Sequence, residues 1–412
     1  MRQSFLITML ALCALLVLMS ATVCAQEGGG DLGGAGAIFR PKNPETKKRT
    51  NKPKPVRPKP NPVGRPELSP EELEDRIDDA LEEGNAARDA RDYAKAEKAY
   101  RTALKLNSRD ARAAQGLGNV FIDQQRWDEA EKAYRQALSF NTTNVDALIA
   151  LSFVLSQEGS GANAARRLVE AETYARRATG LQPNNAVAQD RLGSALEGRA
   201  MLGKETEDAY RRAIEIDPQF AVAYIHLATF LSRTGRAKDA QPLYARANEL
   251  AKDPLTLILS AVALQSVQRW DDSEPVLRRA LEMDARNPAA LVLLGRYLSV
   301  KRRYEEAEPT LKKAIEISPR SIPPYVLLGS AYLRMERFEE AEQLFKRASE
   351  FANAGERKQL AGEFGLSGVG DGFMKSGRPK DALRAYQHAL ELDPDNTTLQ
   401  GKLADARERS NR

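Results

Sequence analysis

Acid–base and nucleophilic chemistry would have few groups to draw on in this chain. Its only imidazoles are His226 and His388, and its only thiols are Cys13 and Cys24. A nucleophile relay needs an imidazole beside a hydroxyl or thiol, and a zinc site needs clustered ligands. The two histidines stand far apart in sequence, with no cysteine beside either. Carboxylates are plentiful, but they alternate with bases, as in Glu305-Glu306 ahead of Lys312-Lys313. Such spacing reads as a solvated helix face with local ion pairs of about 0.2–0.5 kcal/mol each. No strand precedes any glycine cluster, so no phosphate-cradling loop is suggested. No catalytic, cofactor-binding or metal-ligating residue is assigned, no cofactor is expected, and the chain reads as a non-enzyme.

What does recur is structural, with a period of about 34 residues. Asp128-Glu129-Ala130-Glu131-Lys132-Ala133-Tyr134 is echoed by Tyr304-Glu305-Glu306-Ala307-Glu308, by Phe338-Glu339-Glu340-Ala341-Glu342 and by Asp381-Ala382-Leu383-Arg384-Ala385-Tyr386. Nine units can be aligned: 77–110, 111–144, 145–185, 186–220, 221–253, 254–287, 288–321, 322–355 and 363–396. Small residues fall at places 8, 20 and 27 of a unit, where two helices must approach closely. Large ones at places 7, 11, 17 and 24 fill the space beside them. Asp217-Pro218, Ser318-Pro319 and Asp393-Pro394 stop the second helix, because the residue before Pro avoids the α region. Gly235 and Gly377 sit where the first helix must turn into the second, a place suited to a left-handed residue. One hairpin buries too little to fold alone, whereas stacked hairpins share a continuous core.

Three irregularities interrupt the period. The unit 145–185 carries Gln157-Glu158-Gly159-Ser160-Gly161-Ala162-Asn163 in its turn, which predicts an extended second helix. The unit 186–220 has Thr206 in place of alanine. The insertion 356–362 is expected to lengthen a helix. Residues 397–412 form a polar C-terminal helix and tail that would cap the array.

The pattern resembles the tetratricopeptide repeat family, whose unit is a helix–turn–helix. The resemblance implies an all-α fold: a right-handed α-solenoid (superhelix) of about nine helix–turn–helix units with a C-terminal capping helix, the array spanning 71–396. In that family, places 2, 5, 9, 12 and 13 of the first helix line an inner groove that contacts ligands. Carried onto this chain, those places offer Ile149, Phe153, Val222, Ile225, Leu255, Ile258, Val262, Val292 and Val326, with Arg233, Arg296 and Arg334 at the rim. Some members clamp a terminal carboxylate with Lys at place 5 and Asn at place 9 of one unit and further Asn, Lys and Arg on the next two. Here Asn85 and Asn119 occupy place 9 of the first two units. Their place-5 partners are Leu81 and Gln115, and the following place-6 residues are Gly116 and Ala150, so that clamp is not expected.

The N-terminus is a different object. A basic start, an apolar run from Phe5 to Met19 and small residues at Val23 and Ala25 read as a signal peptide over 1–25, cut after Ala25. Retention as an anchor is the alternative, since a span needs about 20 apolar residues. Val23 disfavours lipid attachment at Cys24. Cleavage would leave a mature chain without cysteine, which fits export to a bacterial periplasm or cell envelope.

Residues 26–70 read as a linker, Gly-rich and then Pro-, Lys- and Arg-rich, with too little apolar content to fold. Residues 40–66 carry a formal +9, leaving −3 on 67–412. The basic balance therefore belongs to the arm, and the mildly acidic array has no reason to grip nucleic acid. The expected function is a protein-interaction scaffold that binds a peptide or protein segment in its groove. The alternative is a structural or tethering envelope component, with residues 40–66 engaging an anionic cell-wall or lipid surface. The oligomeric state is open.

Overall fold

The computed structural model describes residues 41–46, 69–157 and 163–411. The expected signal peptide, the Gly-rich stretch, most of the basic arm and the Gly-Ser-Gly turn lie outside them. The described residues fall into two compact units, one holding 41–250 and the other 251–411. Both are all-α stacks of antiparallel helix hairpins, and among the described residues there is no strand. No described helix is long and apolar enough to cross a membrane.

In the N-terminal unit the hairpins pair α1 (Pro70–Asp89) with α2 (Tyr93–Leu106), α3 (Ala111–Asp123) with α4 (Trp127–Phe140), and α5 (Val145–Leu155) with α6 (Asn163–Leu181). Then α7 (Ala186–Gly198) pairs with α8 (Lys204–Ile216), and α9 (Ala221–Arg233) with α10 (Ala237–Leu250). A capping box opens α1: Ser69 Oγ accepts from the Glu72 amide, and Glu72 accepts from the Ser69 amide, with Pro70 at the first position. Asp110, Asn144 and Asn185 cap α3, α5 and α7 in the same place of the repeat. The aromatic at place 24 lies on the glycine at place 8. A Cβ on Gly118 would stand 2.7 Å from the Tyr134 ring, and one on Gly84 would stand 2.7 Å from Tyr100. That contact sets the spacing of these two hairpins and fixes which first-helix face is left over.

The second helix α6 is extended, 19 residues long, as its insertion predicts. Thr206 is buried, and its hydroxyl donates to the Met201 carbonyl, which answers for the polar group where alanine is usual.

The C-terminal unit pairs α11 (Pro254–Ser266) with α12 (Trp270–Met283), α13 (Pro288–Val300) with α14 (Tyr304–Ile317), and α15 (Ile322–Arg334) with α16 (Phe338–Ser349). The last hairpin is α18 (Leu366–Lys375) with α19 (Pro379–Leu392). The insertion before it does not lengthen a helix. It makes a separate one, α17 (Ala354–Ala361), because Asn353 and Glu356 form a second capping box that starts a new helix. The terminal helix α20 (Thr397–Ser410) packs Leu399 and Ala406 against the array's end.

The left-handed turn is general. Gly235 and Gly377 have φ of 84° and 71°, and the same place holds Arg91, Gln125, Ala200, Gln268, Arg302 and Glu336, all with positive φ. Charge is periodic too. Arg126 reaches Glu97 at 2.9 Å, Arg303 reaches Glu274 at 2.8 Å, and Arg337 reaches Glu308 at 2.6 Å. These pairs tie one hairpin to the next, beyond the within-helix pairs the sequence spacing predicts.

Candidate functional site

The face left over by the hairpin packing is built from the first helices, and on α1 and α3 it is polar. Tyr100 donates its hydroxyl to Asn85 Oδ1 at 2.7 Å, and Tyr134 donates to Asn119 Oδ1 at 2.7 Å. Each phenol comes from place 24 and each amide from place 9 of the same hairpin. With the oxygen engaged from beneath, each asparagine presents its NH₂ to the inner face.

Both amides are used. Asn119 Nδ2 donates to the Lys42 carbonyl at 2.8 Å, and Asn85 Nδ2 donates to the Pro44 carbonyl at 3.0 Å. Between them Arg88 Nη1 donates to the Pro41 carbonyl at 2.7 Å and to Asn43 Oδ1 at 2.8 Å. Asn43 Nδ2 donates in turn to Asp89 Oδ2 at 3.1 Å. Residues 41–46 thus lie along the inner face without helix or strand of their own. Pro41 and Pro44 are buried there, while Lys42 and Glu45 are exposed. The two buried prolines stand three apart, as do the exposed Lys42 and Glu45, and three is the period of a polyproline helix. Six residues of the expected linker are therefore an ordered part of the N-terminal unit.

Electrostatics hold the receptor side in place. Arg88 is 1% exposed and forks onto Asp123, Nε to Oδ2 at 2.7 Å and Nη2 to Oδ1 at 2.9 Å. Burial opposes its charge, but Asp123 more than compensates, so its pKa is raised. At place 2 of the next unit, burial pushes the Asp146 carboxyl up, with Lys42 opposing the shift and Glu45 adding to it. Asp89, Asp123 and Asp146 give this stretch of the face an acidic cast.

The apolar groove predicted from sequence is placed differently. Ile149, Ile225, Ile258, Val292 and Val326 all occupy place 5, and all are buried, as are Leu81 and Gln115 at that place. Place 5 is therefore interior within each unit. Phe153 is buried as well, with Trp127 edge-on at 6.1 Å and the Arg191 guanidinium over it at 5.0 Å. Arg296 is buried. Its Nε donates to Gln265 at 3.0 Å, and its guanidinium lies 5.6 Å from the Trp270 ring centre, so it is not a rim cation. Val222, Leu255 and Val262 are half-buried, and Arg334 is exposed. The Arg233 side chain is 60% exposed and pairs with Glu197 at 2.8 Å.

Sequence reasoning named Asn85 and Asn119 but missed their role, and it missed Arg88, Asp89, Asp123 and Asp146. The signal was present: these residues occupy places 9, 12, 13 and 2, and a tyrosine stands 15 residues after each asparagine. The histidines are separate, His226 on Asp190 at 2.8 Å and His388 on Glu342 at 3.1 Å.

Tetratricopeptide repeat patterns match residues 81–144 and 259–322, 301–361, 364–396 and 209–242, together more than half of the chain. The chain belongs to the tetratricopeptide repeat family. No curated protein matches it in sequence. In structure this tetratricopeptide array is similar to yeast Tom70, with 17% identity and a TM-score of 0.53, covering 84% of this chain and 70% of that one. That likeness is one of fold. It is also similar to YrrB, described as a TPR protein with an unusual peptide-binding site (18% identity, TM-score 0.33, 43% of this chain and 91% of that one). MamA from Desulfovibrio magneticus RS-1 matches at 16% identity and a TM-score of 0.37, over 43% of this chain and 95% of that one.

Proposed function

We propose that this tetratricopeptide protein is a non-catalytic interaction scaffold that holds an extended peptide or protein segment on the inner face of its first helices, exported to a bacterial cell envelope. One observation carries the peptide reading: Asn85, Arg88 and Asn119 all donate to main-chain carbonyls of a segment that has no helix or strand of its own. Side chains that read carbonyls accept many sequences, while the contacts around the prolines select among them. Export rests on the sequence before Gln26, a basic start, an apolar run and small residues at Val23 and Ala25.

The test is selection from a random peptide library on the full chain, carrying Pro41→Gly, Asn43→Gly and Pro44→Gly to weaken the resident segment. Enriched peptides should lose binding when Asn85→Ala and Asn119→Ala are added. Enrichment indifferent to those asparagines, or none at all, overturns the reading. N-terminal sequencing from the native host tests export, for which Gln26 should be the first residue and a retained Met1 counts against it.

A further inference from the structure

Residues 41–46 occupy the face on which the proposed partner would lie. We propose that this segment is a resident intramolecular ligand that closes the peptide site of the first two repeats, and that the admitted partner is an extended Pro-basic-Asn-Pro segment which binds by displacing it. The inference rests on the peptide-site reading and adds the partner's chemistry and a gate.

Three features define the partner. Prolines three apart place both rings against the face, as Pro41 and Pro44 are placed. A carboxamide between them meets a donor and an acceptor together: Asn43 Oδ1 takes Arg88 Nη1, and its Nδ2 gives to Asp89. An aspartate in its place would lose the second bond and set its charge against Asp89. The residue before the carboxamide is exposed, as Lys42 is, and a basic one there suits a face that carries the carboxylates of Asp89, Asp123 and Asp146.

Displacement follows from how the segment is held. It brings no helix, and its polar grip is a set of side-chain bonds to a short stretch of chain. The sequence puts 22 residues between it and Ser69, and at a maximum of about 3.3–3.6 Å per residue that length of chain does not forbid it to leave and return. A tethered ligand competes at an effective concentration in the millimolar range, so a partner in trans must bind tightly or be presented multivalently.

The probe is a fluorescent peptide of residues 40–46, titrated by anisotropy onto the full chain and onto full chain carrying Pro41→Gly, Asn43→Gly and Pro44→Gly. The substituted chain should bind it about ten-fold or more tightly than wild type, because the wild-type site is open only a small fraction of the time. Adding Asn119→Ala should remove that binding, and changing the peptide's Asn43 to Asp should weaken it. Equal affinity for both chains overturns the gate, and if the bound peptide still depends on Asn119 the peptide-site reading survives. Absence of binding to either chain, with library peptides also failing, overturns both. Should the triple variant unfold, Pro44→Ala alone gives a smaller increase in the same direction, and no increase counts against the gate. A wild-type chain that dimerises as its concentration rises, and binds the probe only as monomer, overturns the intramolecular assignment in favour of arm exchange between copies.

Discussion

Asn119 accepts the Tyr134 hydroxyl at 2.7 Å in a fully buried position, which leaves its NH₂ a single direction, toward the Lys42 carbonyl. The same two places of the repeat pair elsewhere. Asn85 accepts from Tyr100, Asp371 accepts from Tyr386 at 2.6 Å, and the Thr229 and Tyr244 hydroxyls meet at 3.0 Å. In the last repeat, Lys402 of α20 reaches the other oxygen of Asp371 at 2.6 Å. A place-9 group in each unit is therefore covered by the chain itself, by the arm in one and by the terminal helix in the other.

Removing that amide should cost stability as well as binding. Asn119→Ala strands the buried Tyr134 hydroxyl and should lower the unfolding free energy by about 1–3 kcal/mol. Tyr134→Phe added to it should cost little more, since the stranded group is gone. Urea melts of the two single variants and the double complete the cycle. Additive losses would show that the two side chains are not coupled.

Why the repeats were legible while the site was not follows from what each depends on. The hairpin needs a small residue facing a large one, as Gly118 faces Tyr134, and that demand repeats at a fixed interval. The site uses Asn85, Arg88 and Asn119 only where a separate stretch of chain comes back to meet them. Composition marks residues 26–70 as unable to fold alone, and it contains nothing to say that Pro41 and Pro44 find a surface. The place-5 members of the expected apolar groove were misplaced for a related reason. Ile225 and Ile258 sit at a place that family geometry puts on the inner helices, but each is buried in its own unit.

Ile258 and Val262 separate interior from surface. A charge at Ile258 is buried without a partner, so Ile258→Asp should destabilise the C-terminal unit by about 2–5 kcal/mol. Val262 is half-buried, and Val262→Asp should cost about 1 kcal/mol or less. Thermal melts by circular dichroism compare the two. Equal losses would place both side chains in the same environment.

The left-handed turn offers a gain. Ala200 is exposed with φ of 58°, a conformation that strains a Cβ. Ala200→Gly should stabilise by about 0.5–1 kcal/mol, the relief exceeding the entropy glycine adds to the unfolded chain. Gly235→Ala at the matching place should lose about 1 kcal/mol. A loss on Ala200→Gly in urea denaturation would show the turn to be unstrained.

Acid should loosen the ion pairs between hairpins at a pH set by their carboxylates. The hydrogen bond from Arg337 holds Glu308 well below its ordinary 4.5, at about 2, with Lys312 and the Tyr332 hydroxyl adding to it. A depressed native pKa means that the unfolded chain takes up the proton first. The stabilisation is therefore complete above about pH 5 and lost progressively as pH falls through 4.5 toward 2. Glu308→Gln should melt lower than wild type at neutral pH, and the two melting curves should converge as pH drops through that window. Added salt should narrow the neutral-pH gap, because the pair is partly exposed. Melting temperatures that stay parallel from pH 7 down to about 2.5 would show that Glu308 takes up its proton alike in both states, and that the Arg337 pair adds nothing to stability.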